Sequence, residues 1–386
     1  MKNSNFIIFF SLVITIYGLI NFYIGRRAWQ ALPGTGHIRY IFLGVFLFFV
    51  LAYPLGRLLE RLYYCGITKF IVLIGSFYLG FMIYTFFLAL IFDILRGVNS
   101  FFHFFPAFST KNPQKSAQIV FAGITIFALV IVLIGHLNAL HPRIRKLKIE
   151  ISKSANNLKK LNLVLVSDVH LGTIIRNSRL LKIVDEINRL NPDVVLIPGD
   201  LIDEDITPVV EQNMAESLKQ IRSKYGVFAC TGNHEYFSGV EQTVSYIQQS
   251  NITVLQDSVV KIAGVLYLIG RKDLMVEKFS SGRKSLKELV KGLDLNLPVI
   301  LMDHQPFHLE EAEQNGIDLQ LSGHTHHGQI FPFNLITKKV YEKSWGYLKK
   351  GETHYYISCG VGTWGPPVRI GNTPEIVLIT LLFNKK

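Results

Sequence analysis

Leu161-Asn162-Leu163-Val164-Leu165-Val166-Ser167-Asp168-Val169-His170 is the stretch on which the reading of this chain turns. Its apolar, β-branched run reads as a buried strand, and it ends in two residue types that ligate metal ions. The same form recurs four times downstream. Asp193-Val194-Val195-Leu196-Ile197-Pro198 leads into Gly199-Asp200, and residues 226–230 lead into Gly232-Asn233-His234-Glu235. Residues 297–302 lead into His304, and residues 319–322 into Gly323-His324-Thr325-His326. Each cluster therefore falls where a strand hands over to a loop. Two Asp, one Asn and four His so placed suffice to hold two divalent cations.

Between these runs the period changes. Leu180, Leu181, Ile183, Val184, Ile187 and Leu190 recur at helical spacing until Asn191-Pro192 ends the helix. Further helices are expected through 215–221 and near 240–249. This βαβαβ order predicts neighbouring parallel strands with the clusters at their carboxyl ends. Shorter strands follow at 252–255, 259–263, 265–269, 354–358 and 375–381, with a Gly/Pro-rich turn at 360–371. Alternation early and strands late predict two packed sheets flanked by helices.

Upstream the composition is different. The 386 residues are 49% hydrophobic, too apolar for an ordinary soluble enzyme, and the excess lies in the first 140. Four stretches there, 6–24, 40–56, 70–92 and 117–140, lack Asp, Glu, Lys and Arg. Each is near the roughly 20 residues that cross a bilayer. The first is too long for a signal peptide and lacks a small-residue cleavage site. Buried core helices would need polar faces that these segments do not have. Residues 1–140 are thus expected to form an all-α four-helix transmembrane region, 141–160 a basic juxtamembrane linker, and 161–386 an α/β domain.

The net charge is +12, and Arg143, Arg145, Lys146 and Lys148 directly follow the last apolar stretch. By the positive-inside rule that block places both termini and the α/β domain in the cytoplasm of a multi-pass membrane protein. The same placement points to membrane lipids as partners, not nucleic acid. Three cysteines, Cys65, Cys230 and Cys359, make neither a disulfide framework nor a cysteine zinc site.

The ordered set Asp168-x-His170, Gly199-Asp200, Gly232-Asn233-His234-Glu235, His304 and Gly323-His324-x-His326 resembles the calcineurin-like metallophosphoesterase family, over residues 161–383. Ser322-Gly323-His324-Thr325-His326 and Gly362-Thr363-Trp364-Gly365-Pro366-Pro367 further resemble its membrane-associated branch, likened to UDP-2,3-diacylglucosamine pyrophosphatases. The resemblance implies a four-layer α/β/β/α sandwich. It also implies one metal held by Asp168, His170, Asp200 and His326, and another by Asp200, Asn233, His304 and His324. Asp200 would bridge two cations ~3.5–4 Å apart, whose shared hydroxide attacks phosphorus. His234 would serve the leaving oxygen as acid. Nitrogen and oxygen ligands without thiolate suit Mn, Fe, Zn or Ni. The implied activity is metal-dependent hydrolysis of a phosphomonoester, phosphodiester or pyrophosphate. The anchor brings a lipid-linked phosphoester among the substrates. A soluble nucleotide or phosphoprotein substrate, and a phosphate-sensing membrane protein without turnover, are the alternatives. Oligomeric state stays open.

Other residues have blander readings. Asp203, Glu204 and Asp205 read as a solvated acidic loop, His327 as a solvated histidine, and Glu235 as a supporting loop residue. Asp303 either orients His304 or caps a helix. His308 and His354 read as surface or core histidines. Arg176 and Arg369 are weak candidates for contact with a substrate phosphate.

Overall fold

The computed structural model describes residues 2–33, 36–105, 112–279 and 282–383. They divide into two compact units, one of Met1–Leu137 with Gly365–Val368, the other of Asn138–Trp364 with Arg369–Lys386.

The first unit is helical: α1 (Lys2–Ala31), α2 (Ile38–Leu62), α3 (Gly66–Phe102) and α4 (Pro113–Ala139). Among the described residues three helices, α2, α3 and α4, are long and apolar enough to cross a membrane. That is one fewer than the four spans expected. The stretch 6–24 lies within α1, most of whose first-turn side chains fall outside the described residues. Gly75 lets α2 and α3 approach closely, because a Cβ there would meet the Tyr53 backbone nitrogen at 2.3 Å. Polar groups in the bundle satisfy one another: Tyr78 donates to Asn21, and Arg27 pairs with Asp93.

The second unit holds twelve strands in two six-stranded sheets. The first sheet has the order β1 (Arg143–Ile151), β12 (Glu375–Phe383), β2 (Lys160–Leu165), β3 (Val194–Pro198), β4 (Val227–Cys230) and β5 (Ile252–Leu255). Within it β2 to β5 run parallel, β12 is antiparallel to β2, and β1 is parallel to β12. The second has the order β10 (Gly346–Lys350), β11 (Thr353–Ile357), β9 (Leu319–Ser322), β8 (Val299–Met302), β7 (Leu266–Gly270) and β6 (Ser258–Ile262). Its β11, β9, β8 and β7 are parallel, with antiparallel strands at both edges.

Strand alternation makes the layers. Leu163 and Leu165 face Leu266, Leu268, Ile300, Leu319 and Leu321, so one apolar cluster joins the two sheets. Val164 and Val166 point the other way, onto helix Asn177–Arg189 through Leu180, Ile183, Val184 and Ile187. On the outer face of the second sheet, Val299 and Leu301 meet Leu286, Leu289, Leu309 and Ala312. Helix, sheet, sheet and helix thus stack around three apolar layers, each strand contributing to two of them because successive side chains point to opposite faces.

The segment 141–160 is not a linker. Leu147, Ile149 and Ile151 alternate with Lys146, Lys148 and Glu150, and this period of two builds strand β1 at the sheet edge. Exposed lysines on an edge strand also discourage pairing with another chain. Several elements lay outside the expected set, among them β1, β10, the short helices Thr207–Glu211, Leu286–Val290 and Glu310–Gln314, and an eight-residue helix, Phe333–Val340.

Candidate metal centre

All seven expected ligand residues converge at the carboxyl ends of β2, β3, β4, β8 and β9, where the two sheets meet. The first sheet supplies Asp168, His170, Asp200 and Asn233; the second supplies His304, His324 and His326. Three groups of ligand atoms form among the described residues, each within 4.8 Å: Asp168, His170 and His326; Asp200, His304 and His324; and, sharing His170 with the first, His170, Asp203 and His234. In the first, the Nε2 atoms of His170 and His326 stand 2.9 Å apart, with Asp168 Oδ1 3.6 Å from His326 Nε2. In the second, Asn233 Oδ1 lies 2.8 Å from His324 Nδ1 and 3.2 Å from His304 Nε2, and Asp200 Oδ2 is 3.1 Å from His304 Nε2. The same Asp200 Oδ2 is 3.8 Å from His170 Nε2, so Asp200 stands between the groups.

Backbone groups fix these side chains. The His324 N–H donates to Asp168 Oδ1 at 2.7 Å, and the His234 N–H to Asp200 Oδ1 at 3.0 Å. His304 Nδ1–H donates to the Pro198 carbonyl at 2.8 Å, which orients the ring and turns Nε2 toward Asp200 and Asn233. Asp168, His170, Asp200, His324 and His326 all have φ between 46° and 70°. Such left-handed non-glycine backbone costs ~1–3 kcal/mol per residue and is held only where the surroundings over-determine it. Two glycines allow the loops to close on the carboxylates. A Cβ on Gly232 would lie 2.2 Å from Asp200 Oδ1, and one on Gly323 would lie 2.3 Å from Asp168 Oδ2.

The electrostatics suit a cation. Burial pushes the Asp168 carboxyl up, against the pull of His304. Burial would raise Asp200 too, but His304, His234 and His170 hold it well below the usual range. His304 shows the reverse balance: burial lowers it, but Asp200, Asp168 and Asp273 together outweigh burial, and it rises well above its ordinary value. The carboxylate pair thus demands positive charge at this point. Burial and His304 push His324 down to about 3, leaving its ring nitrogen free as a donor to a metal. Carboxylate, amide and neutral imidazole converging on shared points form a donor set that fits divalent metals.

His234 lies beside this set. Burial lowers its pKa, yet Asp200 and Asp203 raise it to about 9, so it carries a proton near neutrality. Its Nδ1 is 3.2 Å from Asp203 Oδ1, and its ring packs edge-on against Phe237 and Trp364.

Several expectations change here. Asp203 is buried against His234 instead of solvated, while Glu204 accepts from Trp364 and Asp205 from the Thr207 N–H. The acidic run hid it, since nothing in sequence separates one buried carboxylate from two at the surface. Asp303 neither orients His304 nor caps a helix; it pairs with Arg271 at 3.1 Å and with Arg283. His327 is buried, with Nδ1 3.0 Å from Ser344 Oγ. His308 is exposed, and His354 is buried with its Nδ1 2.7 Å from the Tyr347 hydroxyl. Glu235 accepts from the Gly232, Asp200 and Ile202 N–H groups at 2.7, 3.1 and 3.0 Å, tying two ligand loops together. Arg176 is exposed and outside the cluster. Arg369 is fully buried and faces inward: it donates to the Cys359, Gly360 and Gly362 carbonyls and reaches His326 Nδ1 at 3.2 Å.

A model of the calcineurin-like phosphoesterase family matches residues 161–328. A Campylobacter jejuni protein named as a metallophosphoesterase is 30% identical over 381 residues, covering 97% of this chain and 98% of the relative. A Helicobacter pylori metallophosphoesterase is 36% identical over 243 residues, covering 62% and 64%. A Danio rerio transmembrane protein with metallophosphoesterase domain is 33% identical over 274 residues, covering 67% and 62%. The matched part of this chain therefore spans less than two thirds of the Helicobacter and Danio relatives.

Proposed function

We propose that this chain, a member of the calcineurin-like metallophosphoesterases, is a phosphoester hydrolase that works as a membrane-anchored enzyme with two metals. The observation that carries this reading is the meeting of two ligand groups on one carboxylate, Asp200, at the seam of the sheets. Asp168, His170, Asp200 and His326 would hold one cation, and Asp200, Asn233, His304 and His324 the other. When bound, such a pair supplies Lewis-acid activation of water and neutralises charge at phosphorus.

The chain's own residues do the rest. Asp200 and Asp203 keep His234 charged, and Asp203, 3.2 Å from Nδ1, faces one side of the ring, so its other nitrogen can donate a proton to the departing oxygen. Glu235 holds the loops of Asp200 and Asn233 in register. Phe237 and Trp364 flank His234 and limit water beside it. The helices α2, α3 and α4 would anchor the enzyme, and the basic residues Arg143, Arg145, Lys146 and Lys148 favour a cytoplasmic catalytic unit by the positive-inside rule. The anchor favours a phosphoester or pyrophosphate carried by a lipid over a soluble nucleotide.

The test uses the full chain in detergent, stripped by chelator and then given Mn²⁺, with bis-p-nitrophenyl phosphate as the first substrate. Metal-dependent turnover that falls ~10²–10⁴-fold in His234→Ala for substrates with poor leaving groups, with metal content unchanged, supports the reading. Two bound metals without turnover of any phosphoester would sink it.

A further inference from the structure

The helix Phe333–Val340 begins a few residues after His326, and none of its residues is buried. Leu335, Ile336 and Val340 are 53%, 58% and 56% exposed, and Phe331 just before them is 49% exposed. So many large apolar side chains in one short segment are unusual on a soluble face. Lys338, Lys339 and Lys343 stand among them, and none of the three forms an ion pair among the described residues; the one nearby acid, Glu342, is engaged by Lys350 at 3.0 Å. Apolar side chains bordered by free lysines are the make-up of a helix that lies in a membrane interface. The lysine stems run along the acyl boundary and their ammonium groups meet anionic phosphates.

The segment is tied to the metal centre. The Asn334 backbone packs so closely on Gly328 that a Cβ on that glycine would lie 2.3 Å from the Asn334 nitrogen. Tyr341, which follows the helix, sets its ring 6.2 Å from His324 and 4.8 Å from Phe307. Trp364, 48% exposed, sets its ring 5.8 Å from His234, and its backbone N–H donates to the Gln329 side chain, two residues before Phe331. The chain's own apolar spans keep this unit in the company of a bilayer.

We propose that Phe331, Leu335, Ile336 and Val340 insert into an anionic phospholipid surface, with Lys338, Lys339 and Lys343 at its phosphates, so that the metal centre opens onto phosphoesters held in that surface. This rests on the phosphoesterase reading and gives it a substrate class: a phosphoester whose acyl chains stay in the bilayer while its headgroup reaches Asp200 and His234.

The experiment places a nitroxide on Ile336→Cys in the full chain carrying Cys65→Ser, since Cys230 and Cys359 are buried and will not label. The protein is reconstituted in nanodiscs of phosphatidylcholine with phosphatidylglycerol. The label should be relaxed by oxygen and protected from a water-soluble nickel chelate, and Lys338→Glu with Lys339→Glu should remove that protection. Free access of the chelate in the parent protein overturns the proposal. So does protection accompanied by spin–spin broadening, which would show a second copy covering the face. As a functional arm, Leu335→Asp with Ile336→Asp should cut turnover of phosphatidic acid in vesicles by about tenfold or more while leaving bis-p-nitrophenyl phosphate unchanged. Equal turnover of both substrates by variant and parent overturns it. The label reads docking without any turnover, so an inactive parent protein would count against the phosphoesterase reading alone.

Discussion

The two sheets of the catalytic unit share a plan and differ in what they deliver. Each has four parallel strands and antiparallel pairing towards an edge. Yet the first sheet sends both carboxylates, the amide and one imidazole into the centre, and the second sends three imidazoles alone. A cation held between them takes its charge compensation from one sheet and most of its neutral donors from the other. Bound metal would thus cross-link one end of an apolar interface as well as supply chemistry. The centre's two sides should respond differently to damage: loss on the first sheet removes charge, and loss on the second removes a donor.

Three substitutions, from the largest effect to the smallest, probe that asymmetry. Asp200→Asn should strip both metals and bring hydrolysis down to background, as read by metal analysis beside turnover; a variant that keeps two metals per chain would break the comparison outright. His324→Ala should lose one metal and keep the other, because Asp168, His170, Asp200 and His326 stay in place. Its metal content should fall by half, and loss of both would mean that the sheets do not act separately. Asp203→Asn should leave metal content alone and lower kcat by ~10–100-fold, the usual cost of removing a group that orients a functional histidine. The drop should shrink for substrates with good leaving groups, where protonation matters least. A uniform drop would assign Asp203 a merely structural part.

Much of this arrangement was legible because it is written in local rules. Strands β2, β3 and β4 announce themselves by apolar runs, and the residues right after each run are those the structure gathers. What was not legible depends on tertiary neighbours. Asp203 looks like Glu204 and Asp205 until His234 is placed against it. Asp303 sits beside His304 in sequence, but strand alternation sends it to Arg271 and Arg283 on the other side. β1 was masked by its charge: Lys146 and Lys148 suggested a tether, and only the partnership with β12 shows that Leu147, Ile149 and Ile151 matter more. The helix Phe333–Val340 escaped because its apolar residues face no core and so obey no core periodicity.

The position of β12 has a consequence for the order of biosynthesis. It lies between β1 and β2, pairing with both, although it follows every other described strand in the sequence. By then α1 to α4 have been synthesised and can already occupy a bilayer, and every metal-binding loop has been made. β2, which carries Asp168 and His170, keeps one side unpaired throughout that interval. A nascent chain therefore cannot complete its first sheet, or steady the loop of Asp168, until β12 docks.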